Sequence, residues 1–213
     1  GERRGVRVVH EWWGRNGDAR SRAEQLAKLG DVAFALDMYG PGKVTEHQQQ
    51  AGEWASTIRS NTAAWVARAV AGLKVLKDQE QVDTSRLAAI GYCFGGSTVL
   101  QLAFAGEDLD AVVSFHGALP VPDEQQAAAA QASILVCHGS ADAFIPEESI
   151  QQFQAALNKA GADWQMIEYG NARHSFTNPG ADKAGIENLQ YNAKADRRSW
   201  QDMQNLFQEV LKK

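Results

Sequence analysis

Residues 87–103 read LAAIGYCFGGSTVLQLA, and no other stretch is as informative about the fold. Its first half is apolar, which indicates a buried strand, and the residues after Cys93 have the pattern of a helix. Glycines stand on both sides of the cysteine, at Gly91 and Gly95. Small residues at these positions predict a tight strand-to-helix turn with a strained backbone at Cys93, because a side chain at either glycine would collide with neighbouring backbone.

The predicted turn also gives Cys93 a reactive environment. It places the thiol at the N-terminus of the following helix, where free N–H groups and the positive end of the helix dipole favour a thiolate. The pattern G-x-C-x-G-G between a strand and a helix corresponds to the nucleophile elbow of α/β-hydrolases, with Cys in place of Ser. The alternative interpretation is a buried core thiol beside glycines that only shape a loop.

Short apolar runs alternate with segments of helical period along the rest of the chain. The pattern predicts strands at 6–10, 31–40, 86–92, 111–117, 134–139 and 164–169. It predicts helices at 16–29, 61–77, after Cys93, for about 14 residues after Glu147, and at 188–211, with linkers at 41–52, 120–132 and 171–183. Alternating strands and helices predict one α/β domain over 1–213, with a mostly parallel sheet and helices on both faces.

Composition excludes several classes of protein. The 213 residues contain 21 Lys and Arg against 26 Asp and Glu, a net charge of −5, and 44% of them are hydrophobic, which is usual for a soluble globular protein. No basic run indicates nucleic-acid binding, and no apolar run is long enough to span a membrane. Two cysteines without CxxC spacing predict no disulfide framework. We expect a cytoplasmic monomer or homodimer without a signal peptide.

A thiolate nucleophile needs a base, and the base needs a group that orients it. In α/β-hydrolases the chain order is nucleophile, acid, histidine, so both partners should follow Cys93. Only His174, between the last predicted strand and the last helix, has the position expected of the base. Asp142 follows the preceding strand and is the predicted acid. Asp37, at the end of an earlier strand, is the rival acid and ranks lower because it precedes the nucleophile.

The other four histidines receive less specific interpretations. His116 and His138 follow strands at the edge where the active sites of open α/β sheets gather, and we interpret them as supporting or core residues. His10 and His47 are interpreted as structural or solvated. No spacing of His, Cys and Asp suggests a metal site, and the predicted chemistry requires neither a metal ion nor an organic cofactor.

Six motifs, spread over nearly the whole chain, resemble the dienelactone hydrolase family, carboxymethylenebutenolidase-like α/β-hydrolases with a cysteine nucleophile. The motifs are HEWWG (10–14), DMYG (37–40), GYCFGG (91–96), HGSADAFIP (138–146), RHSFTNPGAD (173–182) and YNAKADRRSW (191–200). They occur in the order that the family has. Its members normally begin with additional strands before the one at 6–10, so the resemblance implies a shortened sheet edge here.

The resemblance implies a role for each matching residue. It makes Cys93 the nucleophile, His174 the general base and acid, and Asp142 the carboxylate that orients His174. The backbone N–H groups of Trp12 and Phe94 would form the oxyanion hole. Two such donors are also what the chemistry requires, because negative charge develops on the substrate oxygen.

Further residues are expected around the thiol. The resemblance makes Glu11 the carboxylate that keeps the resting thiol protonated and moves when substrate binds; the alternative is an ordinary carboxylate at a strand end. Trp12, together with Trp13, Tyr39 and Phe144, lies in loops expected to surround the nucleophile. Aromatic side chains there favour aryl leaving groups, and core packing is the alternative for them.

The sequence predicts hydrolysis of carboxylic esters or lactones through a thioester, with neutral aryl esters preferred. Dienelactone-specific members hold a substrate carboxylate with two arginines, and neither is present after Tyr39 or after Phe176. Nothing in the sequence directs Arg59 or Arg173 to the site. A neutral aryl phosphotriester is a further predicted substrate, because an oxyanion hole can also polarise P=O. The alternatives are a thiol-based redox or transfer protein and a non-catalytic binding module, both disfavoured by the predicted triad and by Cys137 in a core strand.

Overall fold

Six parallel strands form one sheet in residues 1–212, the part of the chain that the computed structural model describes. The strands are β1 (Arg3–Val9), β2 (Val32–Leu36), β3 (Val82–Tyr92), β4 (Ala111–Phe115), β5 (Ser133–Gly139) and β6 (Trp164–Tyr169). Their order across the sheet is β2-β1-β3-β4-β5-β6, and every neighbouring pair is parallel. All carboxyl ends therefore lie at one edge, where loops from different strands meet.

Helices cover both faces of this sheet, as the alternating pattern predicts. They are α1 (Gly17–Lys28), α2 (Gln48–Arg59), α3 (Thr62–Lys77), α4 (Phe94–Phe104), α5 (Glu124–Ala129), α6 (Glu147–Ala160) and α7 (Ala193–Val210), with a 3-10 turn at Ala181–Ala184. One face packs against α1 and α7, and the other against α3, α4 and α6, with α2 packed on α3 and α5 packed on α4 and α6. The mostly parallel α/β-hydrolase architecture is confirmed. Among the described residues, no helix combines the length and apolarity needed to cross a bilayer.

The central strands are buried on both faces, which fixes the frame for the loops. All five residues of β4 are buried, and so are the last six residues of β3. A strand of a parallel sheet that is covered on both sides is expected to be apolar throughout rather than alternating. The residues that follow these strands are therefore attached to the most rigid part of the molecule.

Two helices lie in segments that the sequence pattern assigns to linkers. Helix α2 begins inside 41–52 and buries mainly Ala51 and Ala55, so its apolar periodicity is weak. Helix α5 lies inside 120–132 and is only six residues long, but a capping box between Asp123 and Gln126 begins it. That D-x-x-Q spacing is a helix-start signal that the sequence reading missed.

Candidate active site

The turn after β3 holds Cys93 in a backbone conformation that side chains rarely adopt. Its φ is 54° and its ψ is −115°. A Cβ on Gly91 would lie 2.0 Å from the carbonyl oxygen of Gly95, and a Cβ on Gly95 would lie 2.2 Å from that of Val9. Glycine is thus required at both positions. The strained turn predicted from G-x-C-x-G-G is present, and it lifts the thiol to the carboxyl edge of the sheet.

The loops after β5 and β6 bring Asp142 and His174 together. Nδ1 of His174 lies 2.7 Å from Oδ2 of Asp142, and both side chains are buried. The other carboxylate oxygen accepts hydrogen bonds from Asn188 Nδ2 at 3.0 Å and from the N–H of Phe144 at 2.9 Å. Burial opposes ionisation of Asp142, but the hydrogen bond from His174 and the other donors outweigh it and lower the pKa of the carboxyl group. The carboxylate is therefore fixed and charged.

His174 also faces the thiol of Cys93. Burial disfavours the charged imidazole, but a thiolate at Cys93 and the carboxylate of Asp142 outweigh burial and raise the pKa of His174 to about 10. The structure thus brings the three predicted triad residues together, with His174 in contact with both Asp142 and Cys93. An imidazole between a thiol and a carboxylate can take the proton of the thiol and later return it to a leaving group.

Within residues 1–212, the backbone N–H groups of Trp12 and Phe94 have no acceptor. Phe94 follows Cys93 directly, and Trp12 lines the same pocket as Cys93. His10 fixes the peptide that carries the Trp12 N–H. Its Nε2 accepts from the N–H of Met38 at 3.0 Å, so the ring proton is on Nδ1, which donates to the carbonyl oxygen of Glu11. Burial lowers the pKa of His10 to about 4, and the ring stays neutral. Because that carbonyl and the Trp12 N–H belong to one peptide, His10 orients the predicted oxyanion donor.

A pocket of about 340 Å³ opens over Cys93 and His174. Its wall includes Trp12, Gln48, Arg59, Ala118, Phe144, Ile145 and Leu189. Phe144 is 50% exposed, and its ring centre lies 5.2 Å from that of His174. The nucleophile is therefore reached through a mostly apolar, partly aromatic opening, which suits a small organic ester.

Residues 2–211 match the profile of the "Dienelactone hydrolase family". The chain belongs to this family. A solved structure with 42% identity and a TM-score of 0.96, covering 100% of this chain and 88% of the other, is a "Dienelactone Hydrolase-like Promiscuous Phospotriesterase P91 from Metagenomic Libraries". The solved structure "m3DLH" has the same identity, coverage and TM-score. A Caenorhabditis elegans protein, K02A2.1, is 34% identical over 148 residues, or 68% of this chain and 92% of its own.

Within this dienelactone hydrolase framework, Glu11 does not bind the thiol. Its Oε2 accepts a hydrogen bond from Asn178 Nδ2 at 2.8 Å, and its Oε1 lies 4.0 Å from Nε2 of His116. Among residues 1–212, Asn178 is the only hydrogen-bond partner of the carboxylate. The predicted contact with Cys93 is therefore corrected: within residues 1–212 the carboxylate of Glu11 bonds Asn178 and makes no hydrogen bond to the thiol.

Two residues predicted to line the pocket lie behind it. Trp13 is buried against Ala51 and Leu189, because α2, absent from the predicted elements, offers it an apolar surface. Tyr39 packs on the rings of Phe94 and His10, with ring centres 5.4 and 4.9 Å away. The predicted pocket is thus corrected at both positions, and Phe144 alone of the three residues lines it.

Arg59 lines the pocket, a position that no pattern in the sequence predicts. Its guanidinium lies 5.4 Å from the centre of the Phe94 ring. It is the last residue of α2. Because the sequence pattern does not predict this helix, it does not predict the position of the arginine either. Arg173 instead donates to the carbonyl oxygen of Glu187, outside this pocket.

The remaining candidates have structural surroundings. Asp37 accepts from the N–H groups of Tyr39 and Gly40, both at 3.0 Å, and so caps a turn instead of pairing with a histidine. His116 bonds Thr177 Oγ1 at 2.8 Å and packs edge-on against His174, while His138 is buried and His47 is exposed.

We expect Asp142→Asn to lower kcat for ester hydrolysis about 10³-fold, less than loss of the histidine. An amide NH₂ facing Nδ1 favours the wrong imidazole tautomer, so Nε2 can no longer accept the thiol proton. Steady-state kinetics with an aryl acetate would measure the effect. Asp37→Asn is the matched control and should retain activity; a fully active Asp142→Asn beside an inactive Asp37→Asn would reassign the acid.

Proposed function

We propose that this dienelactone hydrolase family member hydrolyses carboxylic esters and lactones with Cys93 as nucleophile, His174 as base and acid, and Asp142 as the orienting carboxylate. The single observation that carries the proposal is the bridging position of His174, which bonds Asp142 at 2.7 Å and faces the thiol at the base of a pocket. The substrate is a small molecule, and the proposal involves no macromolecular partner or cofactor.

In the first half-reaction the thiolate of Cys93 attacks the substrate carbonyl carbon. A carbon–sulfur bond forms, and the π electrons move to the carbonyl oxygen, which accepts hydrogen bonds from the N–H groups of Trp12 and Phe94. The oxyanion then collapses, the bond to the leaving oxygen breaks, and that oxygen takes the proton of the His174 imidazolium. The product is a thioester on Cys93 and a free alcohol or phenol.

Water completes the cycle. Neutral His174 takes a proton from water as the water oxygen attacks the thioester carbon. The second oxyanion uses the same two N–H donors, and its collapse breaks the carbon–sulfur bond. The thiolate and the imidazolium are restored, and the carboxylic acid leaves. Charge thus develops only at atoms for which the proposed site has a fixed partner.

Aryl esters are the proposed preference because the opening of the pocket is aromatic. Trp12 and Phe144 both line it, and Phe144 keeps half of its surface exposed. An exposed phenylalanine next to a nucleophile gains apolar contact when an aromatic leaving group covers it. That gain supports aryl over small alkyl leaving groups.

We expect Phe144→Ala to raise KM for p-nitrophenyl acetate about tenfold, consistent with the loss of one aromatic contact, and to change KM for ethyl acetate little. Steady-state kinetics on the two acetates separates leaving-group binding from general disturbance. Leu29→Ala, which truncates a similarly exposed apolar residue after α1, is the control and should change neither. Equal effects on both acetates would mean that Phe144 serves packing rather than leaving-group binding.

Hydrolysis of neutral aryl phosphotriesters is the second proposed activity. The supporting observation is the 42% identity to a structure described as a promiscuous phosphotriesterase. The thiolate would attack phosphorus, the aryloxide would leave with the proton of His174, and water would then break the phosphorus–sulfur bond. A thiolate is a better leaving group than a serine alkoxide, which favours hydrolysis of the phosphorylated cysteine and recovery of the free enzyme.

A substrate panel tests both activities. Aryl esters, lactones and a diethyl aryl phosphotriester should each give continuous release of product over many turnovers, lost in Cys93→Ala. A single stoichiometric release from the phosphotriester followed by inactivation would overturn the second activity and leave the first intact. Inactivity towards every ester and lactone, with reversible oxidation of Cys93 instead, would favour the thiol-redox alternative; binding without turnover would favour the binding module.

The position of Arg59 removes the argument for a preference for neutral over anionic substrates. That argument assumed that no cation reaches the site, whereas the Arg59 side chain lines the pocket. A carboxylate entering there would meet a guanidinium rather than lose its hydration without a partner. The proposal is therefore limited to the aryl preference, and paired neutral and carboxylated aryl esters in the panel measure the effect of charge.

A further inference from the structure

Arg59 brings an unpaired positive charge to the wall of the pocket. The side chain is exposed, and its guanidinium makes no hydrogen bond and no ion pair within residues 1–212. The other described residues that line the pocket include no carboxylate. A guanidinium carries five N–H donors in a planar fork, a shape that fits a carboxylate. The pocket therefore offers a set of donors for which the described chain supplies no acceptor.

An aromatic contact sets the position of this guanidinium. Its central carbon lies 5.4 Å from the centre of the Phe94 ring. Phe94 is itself fully buried and stacks on Trp65, with 5.8 Å between ring centres. A cation–π contact leaves the N–H donors of arginine available to another partner. Because the side chain already rests on a rigid ring, it loses less conformational freedom when it binds an anion.

The two sides of the pocket receive different parts of a substrate. In the proposed mechanism the leaving oxygen takes its proton from His174, and Phe144 lies beside that residue, with 5.2 Å between ring centres. His174 follows β6 at one end of the sheet, whereas Arg59 ends α2, which follows β2 at the other end. A substrate bound to Cys93 between them therefore directs its leaving group towards His174 and its acyl chain towards Arg59.

We propose that Arg59 binds an anionic acyl chain, which makes aryl half-esters of dicarboxylic acids a preferred substrate class. This inference rests on the proposed thiol-ester mechanism. The carboxylate at the far end of the acyl chain accepts hydrogen bonds from the guanidinium, and the acyl chain stays attached to Cys93 after the phenol has left. The contact is thus present in the substrate complex and in every later step. Uniform binding of this kind lowers KM and changes kcat little.

Two aryl esters that differ by one charge measure the preference. Mono-p-nitrophenyl adipate ends its acyl chain in a carboxylate, and p-nitrophenyl methyl adipate ends it in a neutral ester; nitrophenol release is followed for both. We expect wild-type kcat/KM to be about tenfold higher for the anionic ester, as one charge-assisted pair supplies. Arg59→Met should remove the preference. Arg59→Glu should reverse it, favouring an analogue that carries a trimethylammonium group in place of the carboxylate.

Arg20→Met is the matched control for net charge. Arg20 is exposed on α1, which covers the opposite face of the sheet from the core cluster around Phe94. The variant loses the same positive charge and should keep the wild-type preference, which added salt should weaken. An unchanged preference in Arg59→Met, an equal loss in Arg20→Met, or a failure of Arg59→Glu to favour the cationic ester would overturn the proposal.

Moving the charge tests the assignment to the acyl side. p-Carboxyphenyl acetate and its methyl ester carry the same two groups on the leaving group instead. Arg59→Met should change the ratio of their kcat/KM values much less than it changes the ratio for the two adipates. An equal or larger effect on the acetates would contradict the acyl-side assignment.

Binding without turnover keeps this test separate from the thiol-ester mechanism. In a Cys93→Ala background, calorimetric titration should show tighter binding of mono-p-nitrophenyl adipate than of p-nitrophenyl methyl adipate, and added Arg59→Met should abolish the difference. Equal affinities in that background would contradict the role of Arg59 alone. Absence of turnover that depends on Cys93 with both adipates would contradict the proposed function itself, and the titration would still decide the role of Arg59.

Discussion

Cys93→Ala is expected to lower kcat for p-nitrophenyl acetate by about 10⁴-fold or more, as removal of a covalent nucleophile does in related chemistries. The methyl group of alanine cannot form the thioester, and among the described residues that line the pocket Cys93 carries the only thiol or hydroxyl group. The strained backbone at position 93 remains, and Gly91 and Gly95 still permit it. Thermal unfolding should therefore stay cooperative while steady-state turnover is lost.

Cys137→Ala is the matched control for this prediction. Cys137 is fully buried in β5, within the core between the sheet and α1 and α7, whereas Cys93 belongs to the cluster on the opposite face. Burial raises the pKa of its thiol to about 12, which makes it inert. The control should keep kcat, and iodoacetamide should label Cys93 first in the native wild type. Activity that survives labelling or replacement of Cys93 would contradict the assignment.

His174→Ala has the second largest expected effect, a loss of about 10⁴-fold in kcat. One substitution removes the group that takes the thiol proton, the acid for the leaving group and the base for water. The loss should be smaller for p-nitrophenyl acetate than for a phenyl ester, because nitrophenolate leaves without needing a proton. Steady-state kinetics on the two esters measures this difference.

His47→Ala is the control for the histidine. His47 is exposed at the start of α2 and makes no side-chain hydrogen bond to cap that helix. It should retain wild-type kinetics on both esters. Equal losses on the activated and the unactivated ester in His174→Ala would mean that the residue supports the fold rather than transfers protons.

The sequence was sufficient for the parts of the site that chain order and local spacing determine. The elbow at Cys93 follows from two glycines at fixed distances from the cysteine. Neither glycine can be replaced, because a Cβ at either position would collide with neighbouring backbone. Asp142 and His174 follow from their positions after successive strands, and the loops of a parallel sheet meet at one edge. The last two inferences need only the order of the strands along the chain, and the alternating pattern supplies that order.

Residues whose roles depend on contacts between distant loops were missed or misplaced. Arg59 reaches the pocket because α2 ends beside Phe94, and the weak apolar period of α2 gave no helix to place it on. Trp13 was expected in the pocket, but that same helix buries it. His10 is structural, as the sequence suggested, but the partners of its two hydrogen bonds, which join the loops after β1 and β2, are not revealed by spacing along the chain.

The most direct test of the central claim is capture of the covalent intermediate on Cys93. Enzyme mixed rapidly with p-nitrophenyl acetate and quenched in acid should show one acetyl group, localised by peptide mass spectrometry to Cys93. The adduct should disappear once the substrate is consumed. Cys93→Ala should show no adduct, and Cys137→Ala should show the wild-type amount. Continuous nitrophenol release without acetylation of Cys93, or an acetyl group on another residue that forms and decays at the turnover rate, would contradict the account.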